Sequence, residues 1–320
     1  MCSAKHIKCV GIVGCGVIGM SWAMFYLSKG LNVVAMDPDS AAEQNLHAYL
    51  RGARKAFDDN HMPLPLELEH LTFTTQIDEH FKKVDFIQEN GPERVDIKQQ
   101  LITQLEQQIA DDVIIASSSS GLQVSDFQQK AAHPERIILG HPFNPPHLIP
   151  LVEVCGGKLT SRTFIDTAMD FYKALGKQPI LLNKEITGHI ANRLQGALIR
   201  EVLYLLQENV ASAADLDKAL AHGPGLRWAL MGQFLTSDLG GGKGGLQHFL
   251  EHLGGPIESW WADLGTLEKI TPELIQLATQ GVKEEFQQSD IQPEALQQAR
   301  DRALVKLIND KQHDPVINRF

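Results

Sequence analysis

The segment Gly14-Cys15-Gly16-Val17-Ile18-Gly19 directly follows the apolar run Val10–Val13 and decides the fold of the first half of the chain. A second apolar run, Val33–Met36, ends at Asp37. A strand, a tight glycine turn, a helix, a second strand and an acid in this order are typical of a dinucleotide-binding unit. A purely structural turn is the alternative, but the amphipathic segment Val17–Leu27 and the spaced acid favour the dinucleotide.

Each glycine has its own role in such a turn. The first permits the turn, the second lets the backbone approach the pyrophosphate, and the third lets the helix pack against the strand. The pyrophosphate would face the free N–H groups at the helix start. The carboxylate of Asp37 would bind the ribose hydroxyls and repel a 2′-phosphate, which favours NAD over NADP. The predicted cofactor site consists of Gly14, Gly16, Val17, Ile18, Gly19, Asp37, Glu93 and Lys98.

Composition limits the classes of protein that the chain can belong to. A length of 320 residues with 43% hydrophobic residues allows two domains with a sizeable core. The net charge of −10 argues against binding to nucleic acid or to an anionic membrane. No signal peptide or membrane-spanning run is expected. Since Cys2, Cys9, Cys15 and Cys155 lack disulfide or zinc spacing, we predict a cytoplasmic protein without a metal site.

Short β-rich runs alternate with helical segments in the first half. This alternation predicts an α/β fold of the Rossmann type, with a doubly wound, mostly parallel sheet and helices on both faces. The predicted strands are Cys9–Val13, Asn32–Met36, Thr72–Thr74, Asp85–Gln88, Val113–Ala116, Ile137–Gly140, Leu151–Val154 and Ile180–Leu182. The predicted helices between them include Ala41–Asp58, Pro92–Ile109 and Ser161–Leu175, and a loop is predicted at His61–Pro65.

The second half is predicted to be all-helical. Apolar residues repeat at helical spacing from Ile186 to Gln207, which predicts a long, largely buried helix. The glycine cluster Gly240–Gly245 is interpreted as a flexible turn because no strand precedes it. Residues 1–185 would form the NAD-binding domain and residues 186–320 a helical domain for substrate binding and dimerisation, with the substrate in the cleft between them. The further predicted helices are Ala214–His222, Leu246–Leu253, Pro272–Gln288 and Pro293–Ile308.

Three segments carry residues suited to chemistry. Serines in Ser117–Leu122 follow a strand and could hold a substrate hydroxyl, or could form only a loop and cap. His141 could accept a proton near neutral pH, or could be a structural loop histidine. Glu153 lies in an apolar strand and needs a partner if it is buried, although it could also face water. Placed beside His141, its carboxylate would orient the imidazole and stabilise the protonated ring.

Together these segments resemble the L-3-hydroxyacyl-CoA dehydrogenase superfamily, from Val10 to about Gly232. The shared pattern is a serine-rich loop, His-x-x-Asn-Pro, Leu-Val-Glu and Asn-Arg-Leu, found here at Ser117–Leu122, His141–Pro145, Leu151–Glu153 and Asn192–Leu194. The resemblance implies NAD-dependent oxidation of a 3-hydroxy acid by a homodimer. It makes His141 the base and Glu153 its partner. Ser120 and Asn192 would hold the reacting oxygen, and Asn144 would support the site. The family usually carries Asn at the position of Ser118, so one contact would be shortened.

Two glycine-rich stretches, Gly223–Gly232 and Gly241–Phe249, resemble a short branch that includes L-carnitine dehydrogenase and the L-gulonate dehydrogenase/lambda-crystallin group, and are nearer to the carnitine enzyme. Aromatic faces attract a trimethylammonium group. Arg227 and Trp228 are therefore candidate substrate residues, and Trp260-Trp261 lies where the carnitine enzymes also carry tryptophans. The alternative places these tryptophans in the core or a dimer interface.

Three other functions stay open. A 3-hydroxyacyl-CoA substrate would need cations for its phosphates, and the chain offers a thin basic patch at Arg51, Arg54 and Lys55, which Asp58, Asp59, Glu67 and Glu69 follow. L-Gulonate is a second possible substrate. A non-catalytic, NAD-binding structural protein is the third possibility. The intact set of base, partner and oxygen-binding residues argues against that third possibility, since such a protein needs no base.

Overall fold

The computed structural model describes residues 7–58 and 65–319. Cys2, Asp59 and all of the predicted His61–Pro65 loop except its last residue lie outside the described residues, as do the side chains of residues 55–58. The chain divides into two compact units, Met1–Arg193 and Leu194–Phe320.

The first unit contains an eight-stranded sheet in the order β3-β2-β1-β4-β5-β6-β7-β8. Neighbouring strands are parallel except for β6 and β7, which are antiparallel. The predicted mostly parallel sheet is thus confirmed; β1 and β2 have the predicted bounds, and the ends of the other strands differ from the prediction by at most two residues. The strands are β1 (Cys9–Val13), β2 (Asn32–Met36), β3 (Leu71–Thr74), β4 (Phe86–Glu89), β5 (Ile114–Ser117), β6 (Ile137–Pro142), β7 (Leu151–Gly156) and β8 (Gln178–Leu181).

Alternate side chains of the strands enter two apolar clusters, one on each face of the sheet. In β1, Val10 and Ile12 join the cluster that contains residues of α1, α2 and α5, whereas Cys9 and Val13 join the cluster with α3 and α4. This two-residue period follows from the pleat of a strand. The helices are α1 (Val17–Ser28), α2 (Ala41–Asp58), α3 (Val95–Glu106), α4 (Val124–Phe127) and α5 (Arg162–Ala174).

Helix α1 is buried rather than amphipathic, so the prediction for Val17–Leu27 was wrong on this point. Every residue of Ser21–Leu27 is buried. The reason is that aromatic residues of α5 pack against the helix in the same cluster as the sheet: the Tyr26 and Phe171 rings stack, and Trp22 contacts Tyr172.

The second unit is all-helical in its described residues, as predicted. The prediction of a buried helix from Ile186 was wrong: α6 begins at Ala191, because Gly188 and His189 adopt positive φ angles, and none of its residues is buried. No helix within residues 7–58 and 65–319 is long and apolar enough to cross a bilayer. The remaining helices are α6 (Ala191–Gln207), α7 (Ala213–His222), α8 (Pro224–Trp228), α9 (Gln233–Gly240), α10 (Gly245–Asp263), α11 (Pro272–Ser289) and α12 (Pro293–His313).

The glycine turn between β1 and α1 has different steric demands at its three glycines. Gly14 has φ +92° and its N–H donates to the Met36 carbonyl over 2.8 Å. A Cβ added at Gly19 would lie 1.9 Å from the Gly14 carbonyl oxygen, whereas a Cβ at Gly16 would meet nothing within 4 Å. The protein's own packing therefore requires the first and third glycines, but it does not require the second.

This difference predicts that two small substitutions destabilise the protein to different extents. Gly19→Ala should lower the free energy of unfolding by about 1–3 kcal/mol or more, because a backbone oxygen cannot move aside for the methyl group. Gly16→Ala, at the N-cap of α1, should cost less than about 1 kcal/mol. Urea unfolding of both variants measures the difference. Equal stability of the two variants would contradict the packing argument.

Candidate active site

His141 and Glu153 are direct neighbours across two strands. His141 lies in β6, and the antiparallel register pairs it with Glu153 of β7. The His141 Nδ1 and Glu153 Oε2 atoms are 2.8 Å apart, and both side chains are buried. The predicted strand Ile137–Gly140 left His141 in the following loop, which was wrong because β6 continues to Pro142. It is the antiparallel pairing within the strands that brings the two side chains together.

The Glu153 carboxylate also accepts two backbone hydrogen bonds at the start of α6. Its Oε1 accepts the N–H groups of Ile190 (2.7 Å) and Ala191 (3.0 Å). Free amides and the positive end of the helix dipole stabilise an anion at such a position. Burial raises the pKa of Glu153, but the hydrogen bonds from His141 and the two amides outweigh it and hold the pKa below its ordinary value.

An ionised Glu153 determines the tautomer of His141. A carboxylate can only accept hydrogen bonds, so the neutral imidazole must carry its proton on Nδ1. The lone pair is then on Nε2, which has no hydrogen-bond partner among the described residues. His141 is therefore arranged to accept a proton at Nε2, and the buried Glu153 carboxylate stabilises the positive charge that forms on the ring.

The serine loop after β5 is held by side chains at the end of β4 and beyond. Ser117 Oγ donates to Glu89 over 2.6 Å, and Ser119 Oγ donates to Glu93 over 2.7 Å. The Ser120 hydroxyl is different: it is exposed and has no partner in the described part of the chain. Ser117 and Ser119 thus fix the loop, whereas the Ser120 hydroxyl stays available for a ligand.

The Asn192 side chain contacts the same loop, and its role in holding the reacting oxygen stays a prediction. Its Nδ2 donates to the Ser120 carbonyl over 3.0 Å. Ser118, which stands where the family usually has Asn, donates to Asn90 over 2.7 Å and accepts from Gln88 over 2.9 Å. Ser118 therefore contributes to a hydrogen-bond network at the carboxyl ends of the central strands β4 and β5.

Glu93 and Lys98, both predicted to bind cofactor, order the serine loop. The buried Lys98 ammonium donates to both oxygens of Glu89, over 3.0 and 2.8 Å. Burial raises the pKa of Glu93, but hydrogen bonds from Ser119 and the Gly121 amide and the charge of Lys98 lower it below its ordinary value. Direct contact of these two residues with a cofactor stays a prediction.

The glycine turn fits a bound dinucleotide. The backbone at Gly16 has open space in front of it, and Val17, the first residue of α1, is 62% exposed. Asp37 follows β2, and its Oδ2 accepts the Cys15 N–H over 2.8 Å, which places the carboxylate beside the turn. Burial raises the pKa of the Cys15 thiol to about 12, so this cysteine stays protonated. An open turn, a free helix start and an adjacent carboxylate are what a pyrophosphate and a ribose require.

The segment after His141 forms hydrogen bonds with α1 and with a buried lysine. Ser21 Oγ is 2.8 Å from His147 Nδ1. The Lys177 ammonium donates to the carbonyls of Pro146 and, over 3.0 Å, Ile149, and lies 4.1 Å from the centre of the Phe25 ring. Burial, with a smaller effect of Lys29, lowers the pKa of Lys177 to about 7.

Three other predicted residues, Asn144, Arg227 and Trp228, are exposed. The Asn144 side chain is exposed and has no hydrogen bond among the described residues. Arg227 and Trp228 are exposed on α8 of the second unit, where Trp228 Nε1 donates to Gln233 over 2.7 Å. Their roles stay predictions.

Three further histidines, His189, His248 and His252, were not predicted from the sequence. His189 lies beside His141, with ring centroids 5.1 Å apart, in a turn that no motif singled out. His248 and His252 stack on α10, a His-x-x-x-His spacing that the sequence displays. Within the described ranges, no group of three or more metal-binding side chains includes them.

Two family models match the chain. The model of the 3-hydroxyacyl-CoA dehydrogenase NAD binding domain matches residues 9–186, and that of the 3-hydroxyacyl-CoA dehydrogenase C-terminal domain matches residues 188–273.

Individual proteins are also similar over most of their length. A 3-hydroxyacyl-CoA dehydrogenase of Gibberella moniliformis is 45% identical over 81% of this chain and 81% of its own. An L-carnitine dehydrogenase of Streptomyces coelicolor is 38% identical over 96% of both chains. Among solved structures, an NAD⁺-dependent dismutase, 5-formyl-3-hydroxy-2-methylpyridine 4-carboxylic acid 5-dehydrogenase, is 28% identical, with a TM-score of 0.80 over 95% of this chain and 98% of that one.

The buried Lys177 predicts a characteristic dependence of stability on pH. Between about pH 7 and 10.4, Lys177 is protonated in the unfolded chain but largely deprotonated in the folded protein. The free energy of unfolding should therefore rise with pH in this range. The free energy of unfolding of the wild type should rise more steeply than that of Lys177→Met, by up to about 1.4 kcal/mol per pH unit between about pH 7 and 9. Urea unfolding at several pH values measures this gain.

The control is Lys173→Met, which removes an exposed lysine of α5. This variant should keep the pH dependence of the wild type. If the curves of wild type and Lys177→Met ran parallel, Lys177 would not change its protonation in this range.

Proposed function

Because the chain belongs to the 3-hydroxyacyl-CoA dehydrogenase family, it is an NAD-dependent dehydrogenase of a 3-hydroxy acid, and we propose that this acid is L-carnitine. The observation that carries the reaction class is the 2.8 Å contact between His141 and Glu153. It combines a proton acceptor with a buried, ionised partner, as the oxidation of an alcohol requires.

In the proposed reaction, the substrate hydroxyl gives its proton to His141 Nε2 as the C3–H bond breaks. NAD supplies the hydride acceptor. The imidazolium that forms is stabilised by Glu153, whose negative charge is already held by two amides and needs no rearrangement. The Ser120 hydroxyl and the Asn192 amide would hold the substrate oxygen while its carbon becomes a carbonyl.

Three observations support carnitine as the substrate. The L-carnitine dehydrogenase of Streptomyces coelicolor matches nearly the whole chain. The net charge of −10 favours a cationic ligand over an anionic one. Trp228, Trp260 and Trp261 expose aromatic faces, each of which can attract a trimethylammonium group by roughly 0.5–2 kcal/mol.

A 3-hydroxyacyl-CoA is the second candidate substrate. The 45% identical relative from Gibberella moniliformis has that activity in its name. Arg51 and Arg54 are exposed on α2 and could meet phosphate groups. A CoA substrate is less favoured, because the chain offers few such cations and is strongly negative overall.

A substrate panel distinguishes the candidates. NADH formation is measured with L-carnitine, L-gulonate, 3-hydroxybutyrate and 3-hydroxybutyryl-CoA at equal NAD. We expect the highest kcat/KM with L-carnitine, because its cationic head matches the charge of the protein. A higher kcat/KM with 3-hydroxybutyryl-CoA would overturn the proposed substrate, and no turnover of any compound would overturn the proposed reaction.

The panel is repeated with Glu153→Gln, which keeps the shape of the side chain but removes its charge. We expect kcat to fall about 10²–10⁴-fold, because the amide no longer enforces the productive tautomer or stabilises the imidazolium. The matched control is Glu135→Gln, since Glu135 forms a half-exposed pair with His133 at 3.3 Å. That control should keep the wild-type kcat.

We also propose that the protein is a homodimer that assembles through the helical unit. Among the described residues of this unit, Leu274 is the one buried apolar side chain apart from glycine. Many large apolar side chains there are exposed, which is costly in water unless a second surface covers them. They include Leu226, Phe234, Leu239, Leu250, Trp260, Trp261 and Ile270. A second copy of the chain offers the same apolar surface.

Sedimentation equilibrium tests the dimer. The wild type should have twice the mass of the chain, and Phe234→Glu, which places a charge on a residue that is 78% exposed, should shift it towards the monomer. The control Leu159→Glu changes a residue of the first unit that is 55% exposed, and should leave the mass unchanged. A monomeric wild type would refute the proposal.

We place the enzyme in the cytoplasm. Cys9, Cys15 and Cys155 are buried free thiols, which suits a reducing compartment. Cell fractionation checks this placement, and recovery of the enzyme from a secreted or membrane fraction would contradict it.

A further inference from the structure

The four residues His189–Asn192 connect the His141–Glu153 pair to the serine loop. The amides of Ile190 and Ala191 donate to Glu153. On either side of them, the His189 ring and the Asn192 side chain hold two successive carbonyls of the loop. His189 Nε2 is 3.0 Å from the Ser119 oxygen, and Asn192 Nδ2 is 3.0 Å from the Ser120 oxygen. One short segment therefore fixes the acid and the oxygen-binding loop relative to each other.

The backbone at His189 adopts a conformation that L-residues avoid. Its φ is +52°, in the left-handed region, and it follows Gly188 at φ +75°. For a residue with a Cβ this conformation costs about 1–2 kcal/mol. The turn places the imidazole at 3% exposure, where its ring lies 5.1 Å from that of His141. Strain of this kind persists where the surroundings enforce it, and it is concentrated at functional sites.

The contact with Ser119 determines the protonation state of His189. A carbonyl oxygen only accepts, so Nε2 carries the proton of the ring. Burial lowers the pKa of His189. The bond to Ser119 opposes burial, the nearby His141 lowers the pKa further, and Glu153 and Glu93 raise it, with a net decrease. His189 is therefore uncharged when His141 takes up a proton, and adds no repulsion to the imidazolium.

We propose that His189 is a positioning residue, which holds the Ser119 carbonyl through Nε2–H and so places the Ser120 hydroxyl relative to the proton-accepting His141. Its uncharged ring packs against His141 and limits the orientations of that imidazole. This inference rests on the proposed function of His141 as the base. It assigns a role to a residue that touches neither substrate nor cofactor and acts through its neighbours.

Two substitutions separate the hydrogen bond from the packing of the ring. His189→Phe keeps an aromatic ring and loses the donor, whereas His189→Gln restores an N–H donor with a similar reach. Both carry a Cβ, so the backbone strain is common to them and the wild type. With the best hydroxy acid of the panel, we expect His189→Phe to lower kcat about 10- to 100-fold with KM for NAD within about 2-fold, because small misplacements cost rates of this order.

His189→Gln should recover most of the lost kcat. The control His133→Phe removes a half-exposed histidine of the same unit and should leave kcat unchanged. Full kcat in His189→Phe would overturn the proposal, and so would an equal loss in both His189 variants, since the donor would then not matter.

Imidazole ¹⁵N NMR of the wild type tests the proposal without any variant. His189 should appear as the Nε2–H tautomer, and its pKa should lie below the ordinary value of histidine, because burial disfavours the charged ring. A proton on Nδ1 of the neutral ring, or a pKa raised above the ordinary value of histidine, would overturn the inference even if the variants failed to fold. Because the spectrum requires no turnover, a protein inactive on the whole panel would refute the proposed function and leave the tautomer of His189 measurable.

Discussion

The Glu153 carboxylate is the group on which the rest of the site depends. It is fully buried, and three hydrogen bonds from His141, Ile190 and Ala191 compensate for its loss of water. An unpartnered carboxylate at this position would be protonated, and a protonated acid could not enforce the tautomer of His141. The antiparallel pairing of β6 with β7 and the start of α6 both serve to keep one negative charge in the interior.

Much of the first unit could be predicted from the sequence, because its signals are local. Apolar runs and a glycine turn specify β1, α1 and β2 within a few residues of one another. The burial of α1 could not be predicted, since it depends on α5, which lies far along the chain. The strand position of His141 was missed for the same reason: antiparallel pairing of β6 with β7 is a property of the whole sheet.

The candidate site shows the same division between local and distant information. His141, Glu153, Ser120 and Asn192 stand in motifs and could be named from the sequence. His189 could not, because its importance comes from a positive φ and from the Ser119 carbonyl, neither of which leaves a pattern. The start of α6 was predicted too early, since periodicity reports apolar spacing and cannot detect a left-handed turn at Gly188 and His189.

Helix α6 belongs to both units: its first three residues lie in Met1–Arg193 and the remainder in Leu194–Phe320. Helices form cooperatively, so the amides at its first turn keep their direction only while the turns that follow are folded. Shortening the chain after Arg193 would therefore do more than delete the second unit. The buried acid would also lose its two backbone donors, and with them part of the compensation for its burial.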